Sequence, residues 1–167
     1  GSVEGVETIL KKMVGRSPWE FLLDDSIGGA LIAVYDLVGQ AAGLPVARLF
    51  SPEPRKRVVQ TWWSQCLPPE VMASEAKLGV ELGYKVHKVK ARPFEDVIEQ
   101  AEAITAVVPK DFRIWVDSNW TFGSVARAAH FIEKLSNFQQ YFALESPMHR
   151  ANIASYRQLR PLARLKI

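Results

Sequence analysis

The sequence predicts an α/β fold built on a parallel sheet, and three observations predict it. After about residue 57, short β-rich runs alternate with amphipathic stretches of helical period. The polar residues that close successive runs, Lys90, Asp117 and Glu145, stand 27 and 28 positions apart, which is the repeat of a βα unit. Before about residue 54, by contrast, no strand pattern occurs.

In chain order, apolar residues at helical spacing through Val6, Ile9, Leu10 and Met13 predict a short helix with Gly15 as its C-cap. A second helix is expected after Ser26, where Ala30, Ala33, Val34, Leu37, Val38 and Ala41 give a broad apolar face and Gly43 and Pro45 stop it. A helix apolar over most of its surface has to be buried against something. The segment Ser51-Pro52-Glu53-Pro54-Arg55-Lys56-Arg57, rich in proline and charge, reads as a linker.

Strands are then expected at Val58 to Trp63, Val86 to Lys90, Phe112 to Val116 and Tyr141 to Leu144. Between them, Val97, Ala101, Ile104 and Val108 share one helical face, and Val125, Ala129, Ile132 and Leu135 share another. Leu165-Lys166-Ile167 looks like the start of a fifth strand. Such alternation implies βαβ units in a doubly wound sheet or a barrel. A complete (β/α)₈ barrel takes about 250 residues, and only about 110 follow the linker, so a barrel would be partial.

Composition narrows the class of function. Of 167 residues 48% are apolar, enough for a core of ordinary size. The 21 Lys+Arg and 18 Asp+Glu are spread through the chain, with no basic stripe to bind nucleic acid. Cys66 is the single cysteine, and the chain has neither a signal-peptide pattern nor a run of about 18 apolar residues. A reducing, cytoplasmic setting away from membranes is the expectation.

Active-site residues gather at the C-terminal ends of parallel strands. On Val86-His87-Lys88-Val89-Lys90 the period of two puts Lys88 and Lys90 on one face and His87 and Val89 on the other. Two neighbouring ammonium groups lower the pKa of at least one of them, which makes a lysine a usable base; two solvated strand-end lysines would look the same. Asp117 and Glu145, closing the next two strands, would converge at the mouth of the sheet as hard oxygen ligands for Mg²⁺. Asp117 capping the next helix and Glu145 pairing with Arg150 is the structural alternative. One of Trp62 and Trp63 must face the mouth, whereas Cys66 lacks a nearby base. His87 faces away from Lys88, His130 falls in a helix and His149 follows a strand end, so ordinary polar or core roles are expected of all three.

The set Ala33-Val34-Tyr35-Asp36-Leu37-Val38-Gly39-Gln40 with Gly43-Leu44-Pro45-Val46, then Gly83-Tyr84 leading to Lys88-Val89-Lys90, then Val116-Asp117-Ser118-Asn119, then Glu145-Ser146-Pro147, resembles the mandelate racemase and muconate lactonizing branch of the enolase superfamily. The resemblance implies that residues 1–54 are the helical part of a capping domain. Residues 55–167 would then be the N-terminal half of a (β/α) TIM-type barrel: the first four βα units and the start of strand five. It further implies abstraction of the proton α to the carboxylate of a small substrate through a metal-stabilised enediolate, leading to racemisation, epimerisation, dehydration or cycloisomerisation. By position, Asp117 and Glu145 become ligands of Mg²⁺, Lys90 the base, Lys88 its neighbour, and Asn119 a supporting group behind the metal. A third ligand would fall at about position 172 or 173, beyond Ile167, as would the opposing acid or base, so the isolated chain is expected to be inactive. The other reading is a non-catalytic half-barrel acting as a structural or assembly unit. Such a half-barrel would expose two sheet edges liable to pair with another copy, and a homo-oligomer is expected.

Overall fold

The computed structural model of the protein describes Gly5, Thr8 and residues 25–167. The helix expected through Val6 to Gly15 lies outside the described residues. The chain divides into two compact units, Gly1–Val58 and Val59–Ile167.

In the first unit α1 (Asp25–Ala42) leads into the short α2 (Val46–Phe50). Gly43, at φ 65°, ends α1 by donating its N–H to the Gln40 carbonyl while Leu44 donates to Gly39, and Pro45 bars any continuation. Of the α1 face expected to be buried, Val34 and Val38 are half-buried, while Ala30, Ala33, Ala41 and Leu37, the last 65% exposed, are not covered. The five-residue α2 is too short to cover an 18-residue helix, and it meets α1 where Tyr35 packs on Phe50.

The second unit runs β1 (Trp62–Ser64), α3 (Pro69–Glu81), β2 (Val86–Lys90), α4 (Val97–Val107), β3 (Arg113–Asp117), α5 (Val125–Leu135), β4 (Tyr141–Glu145) and α6 (Ile153–Leu159), followed by a 3₁₀ turn. Helix starts are fixed by side chains: Asp96 accepts from the Ile98 and Glu99 amides, Ser124 from Arg127 and Asn152 from Ser155. Gly83, at φ 86°, turns the chain from α3 into β2, and so sets where Lys88 and Lys90 fall.

The four strands are parallel and lie in the order β1-β2-β3-β4. A doubly wound sheet would reverse its order at a switch point, and none occurs here. His87, Val89, Ile114, Val116, Tyr141 and Leu144 are all buried on one face. The apolar members of that row share a single core with Met72, Ala101, Ile104, Ile132 and Leu135 of the helices. The opposite face carries Lys88, Lys90, Trp115 and Glu145, all half-buried. Sequential order with helices on one side is the arrangement of the first half of a barrel. Lys166 pairs with Ala143 beyond β4, receiving the Leu144 amide at 2.8 Å and donating to Phe142 at 3.0 Å, so the expected fifth strand begins there.

The first strand differs from the expectation of Val58 to Trp63. Pairing with β2 begins only at Trp62 opposite His87, and Val58 and Val59 are 69% and 81% exposed. β-Branched residues favour a strand only where a neighbour is present to pair with. The third and fourth strands end one residue later than expected, so Asp117 and Glu145 are themselves strand residues.

His87 is sealed between β1, β2 and α3. Ser64 Oγ donates to Glu75 Oε2 at 3.2 Å and contacts His87 Nε2 at 2.8 Å. Burial lowers the His87 pKa from 6.5 to about 4. The unfolded chain therefore takes up a proton at a higher pH than the folded one. Stability should be fully present above pH 6.5 and fall by about 3 kcal/mol as pH drops from there towards 4. Urea unfolding at pH 7 and pH 4.5 should show this loss in the parent and lack it in His87→Gln; equal slopes in both proteins would refute it.

Candidate active site

Parallel register aligns Lys90 with Asp117 and Asp117 with Glu145, so three chemical groups occupy one row at the C-terminal edge of the sheet. Lys88 lies one layer deeper on the same face, opposite Trp63 on one side and Trp115 on the other. Its ammonium sits 4.4 Å from the centroid of the Trp115 ring. Trp63 is thus the tryptophan on the lysine face, while Trp62 packs against Tyr84 on the other.

The charges interlock. Lys90 Nζ donates to Asp117 Oδ2 at 2.5 Å and to Asn119 Oδ1 at 2.9 Å. Lys88 Nζ donates to Glu145 Oε2 at 2.6 Å and lies 3.3 Å from Asp117 Oδ2. Asp117 is almost fully buried, which alone would raise its pKa; the Lys90 hydrogen bond, the Asn119 amide at 3.0 Å and both lysine charges outweigh this and hold it below the usual carboxylate value. Burial alone would likewise lower the Lys88 ammonium, yet the Glu145 hydrogen bond and the charges of Asp117 and Glu145 hold it above its ordinary value. Of the two neighbouring lysines Lys88 is therefore not the one depressed, because carboxylate oxygens lie 2.6 and 3.3 Å from its ammonium. The cap of α5 is Ser124, not Asp117, and Glu145 pairs with Lys88.

The loops after β3 and β4 are tied together. Ser118 Oγ and the Trp120 amide both donate to the Ser146 carbonyl, at 2.7 and 2.8 Å, and the Ser118 amide donates to Glu145 at 3.1 Å. Asn119, Trp120 and Ser146 have φ of 45°, 71° and 51°, and they are the non-glycine residues with positive φ among those described. Left-handed backbone at such residues costs about 1–3 kcal/mol each and collects at functional sites.

Two participants were not singled out in the sequence. Arg92 donates to Asn119 Oδ1 at 2.7 Å and to the Ala91 carbonyl at 2.8 Å, so the Asn119 amide oxygen is shared by Arg92 and Lys90. The alternation of Lys88 and Lys90 continues to Arg92, and that was a readable signal. Trp120, flanked by His149 at 4.6 Å and Arg150 at 5.7 Å, gave none. Of the other residues considered, His87 is core and His130 is exposed on α5, as expected, while Cys66 is half-buried with Gln100 Nε2 at 3.5 Å.

Among the described residues no group of three or more His, Cys, Asp or Glu side chains gathers as a metal site. The pair Asp117 and Glu145 nevertheless fits a hard dication in donor chemistry, since Mg²⁺ commonly takes one or two carboxylates and completes its shell with water and substrate oxygens. No described helix is long and apolar enough to cross a membrane.

Residues 71–167 match the family described as enolase C-terminal domain-like. The D-gluconate dehydratase of Thermoproteus tenax is 27% identical over 198 aligned positions, covering 99% of this chain and 39% of that protein. The arabinonate dehydratase of Saccharolobus solfataricus is 32% identical, covering 65% of this chain and 31% of the relative. The chain thus spans well under half the length of the curated relatives it matches. Among solved structures, the dipeptide epimerase of Enterococcus faecalis V583, complexed with Mg and a dipeptide, superposes with a TM-score of 0.77 at 24% identity, covering 98% of this chain and 44% of its own, and so shares the fold.

The buried charge of Asp117 makes a stability prediction. In chelator, Asp117→Asn should cost about 1–3 kcal/mol at neutral pH, because two ammonium groups lose a charged acceptor. Since the folded-state pKa of Asp117 is lowered, its contribution is present above the ordinary value of 3.8 and lost as pH falls below it. Parent and variant should converge there in denaturant titrations; a constant gap down to the lowest pH would contradict the assignment.

Proposed function

Because the chain belongs to the enolase C-terminal domain-like family, matched over residues 71–167, we propose that the protein removes the proton α to the carboxylate of a small acid, with sugar acids as the substrate class and dehydration as the outcome. The observation that carries this reading is the row Lys90, Asp117, Glu145 in direct register. It sets an amine beside two carboxylates at neighbouring strand ends, which supports reading them as a base and two hard oxygen ligands. The dehydration of sugar acids named for the two curated relatives supports the choice of substrate and outcome. In this reading residues 1–54 form the helical part of a capping domain and residues 55–167 the N-terminal half of a barrel.

Lys90 is the base. Its Nζ, on a flexible stem, is fixed by Asp117 Oδ2 and Asn119 Oδ1, and Arg92 fixes Asn119 in turn. Lys88, deeper on the same face, presents positive charge towards the substrate carboxylate and balances Glu145. Asp117 and Glu145 would hold Mg²⁺. When bound, the cation supplies positive charge beside the substrate carboxylate, where negative charge grows as a very weakly acidic α-proton leaves. With a cation held there, Lys88 and Lys90 would give up the carboxylate oxygens they hold; Lys90, once its ammonium has passed one proton to water, would present an amine lone pair that receives the α-proton.

The test is exchange of the α-hydrogen of D-gluconate and arabinonate in deuterated buffer, with water loss followed in parallel, on the full-length protein. Exchange should require Mg²⁺, stop with chelator and fall by at least about 10²-fold in Lys90→Met, the low end for a general base. Exchange at the parental rate in Lys90→Met would remove Lys90 from this role; no exchange with any sugar acid would sink the proposed function.

A further inference from the structure

The strain at the mouth is not all explained by the metal and the base. Asn119 takes a left-handed backbone while its Oδ1 accepts from Lys90 and Arg92 and its amide donates to Asp117. Ser146 does so while its carbonyl receives Ser118 and Trp120. Trp120, at φ 71°, hydrogen-bonds through its backbone to Ser146 and Gly123 rather than to Lys90, Asp117 or Glu145, and its position is one that glycine would occupy without strain. What the strain secures is the indole itself.

That indole is held on the rim. Its backbone amide is bonded to Ser146, the neighbour of Glu145, its ring packs against the His149 ring at 4.6 Å, and the Arg150 guanidinium lies 5.7 Å from the ring centroid. Even so, Trp120 remains 38% exposed. Trp120 Nε1–H has no hydrogen-bond acceptor among the described residues. His149 Nδ1 accepts the Ala151 amide at 3.3 Å, which leaves Nε2 as the ring nitrogen with a proton to donate, on a residue that is exposed. Two N–H donors on adjacent rings tilted at 57°, with a guanidinium beside them, suit oxygen acceptors. An alkyl chain would leave both donors unpaired when it covered them.

We infer that Trp120 and His149 form a subsite that reads hydroxyl oxygens at the end of the substrate remote from its carboxylate. The inference rests on the sugar-acid reading above and deepens it: the row of Lys90, Asp117 and Glu145 handles the carboxylate end, and this pair selects for a long hydroxylated chain.

The test compares six-carbon D-gluconate with three-carbon D-glycerate in the Mg²⁺-loaded full-length protein. Trp120→Phe keeps an aromatic ring, though a smaller one, and removes the N–H, and His149→Ala removes the second donor. Each should lower the ratio of kcat/KM for gluconate to that for glycerate by about 3- to 10-fold, the range set by a lost hydrogen bond. A ratio within twofold of the parent in both variants overturns the subsite. A separate reading needs no turnover: the Trp120 indole N–H resonance, assigned by its loss in Trp120→Phe, should shift with gluconate and much less with glycerate. No shift with gluconate overturns the inference. Exchange that is absent for every acid counts against the proposed function alone, and the resonance then decides the subsite.

Discussion

Pairing every strand in parallel with the one before it leaves little freedom in where the chemical groups fall. Once His87 and Val89, Ile114 and Val116, and Leu144 are buried against the helices, the period of two sends Lys88, Lys90 and Glu145 to the other face. Register then sets Lys90, Asp117 and Glu145 side by side. A slip of one residue in β2 would bury two lysines in an apolar core and present His87 and Val89 at the mouth. The hydrophobic pattern that stabilises the sheet is thus the same constraint that assembles the site.

The row is also an electrostatic unit. Asp117 tolerates near-complete burial because Lys90, Lys88 and the Asn119 amide surround it with donors. Those donors belong to β2 and to the loop after β3, so a carboxylate on β3 ties all three segments together. The tie extends through Asn119 to Arg92, and through Ser118 and Trp120 to the loop after β4. Left-handed backbone is concentrated in that tied region, where surrounding hydrogen bonds over-determine the geometry.

Much of this was legible in the sequence. Alternation placed Lys88 and Lys90 on one face, the spacing of 27 and 28 residues placed Asp117 and Glu145 at matching strand ends, and the final Leu165-Lys166-Ile167 announced a fifth strand. These are periodic signals, and periodicity survives because packing enforces it. The lost information was of other kinds. The start of β1 depends on where β2 offers a partner, which Val58 and Val59 do not record. Burial of α1 was inferred from its composition, but cover depends on what lies opposite, and α2 supplies only a little. The direction of the Lys88 shift depended on which charge stood nearest, a matter of ångströms rather than of order along the chain. Trp120 was invisible because no residue type but glycine, or at times asparagine, advertises a positive φ.

The central claim is that one row of the sheet holds the metal and the base together. The most direct measurement is a crystal structure of the full-length protein with Mg²⁺ and D-gluconate bound. The account predicts that Asp117 and Glu145 both ligate the ion, that the substrate carboxylate lies against it, and that Lys90 has left Asp117 to face the α-carbon. An ion held elsewhere, or a substrate whose α-carbon faces away from Lys90 while Lys90 keeps its bond to Asp117, would contradict it.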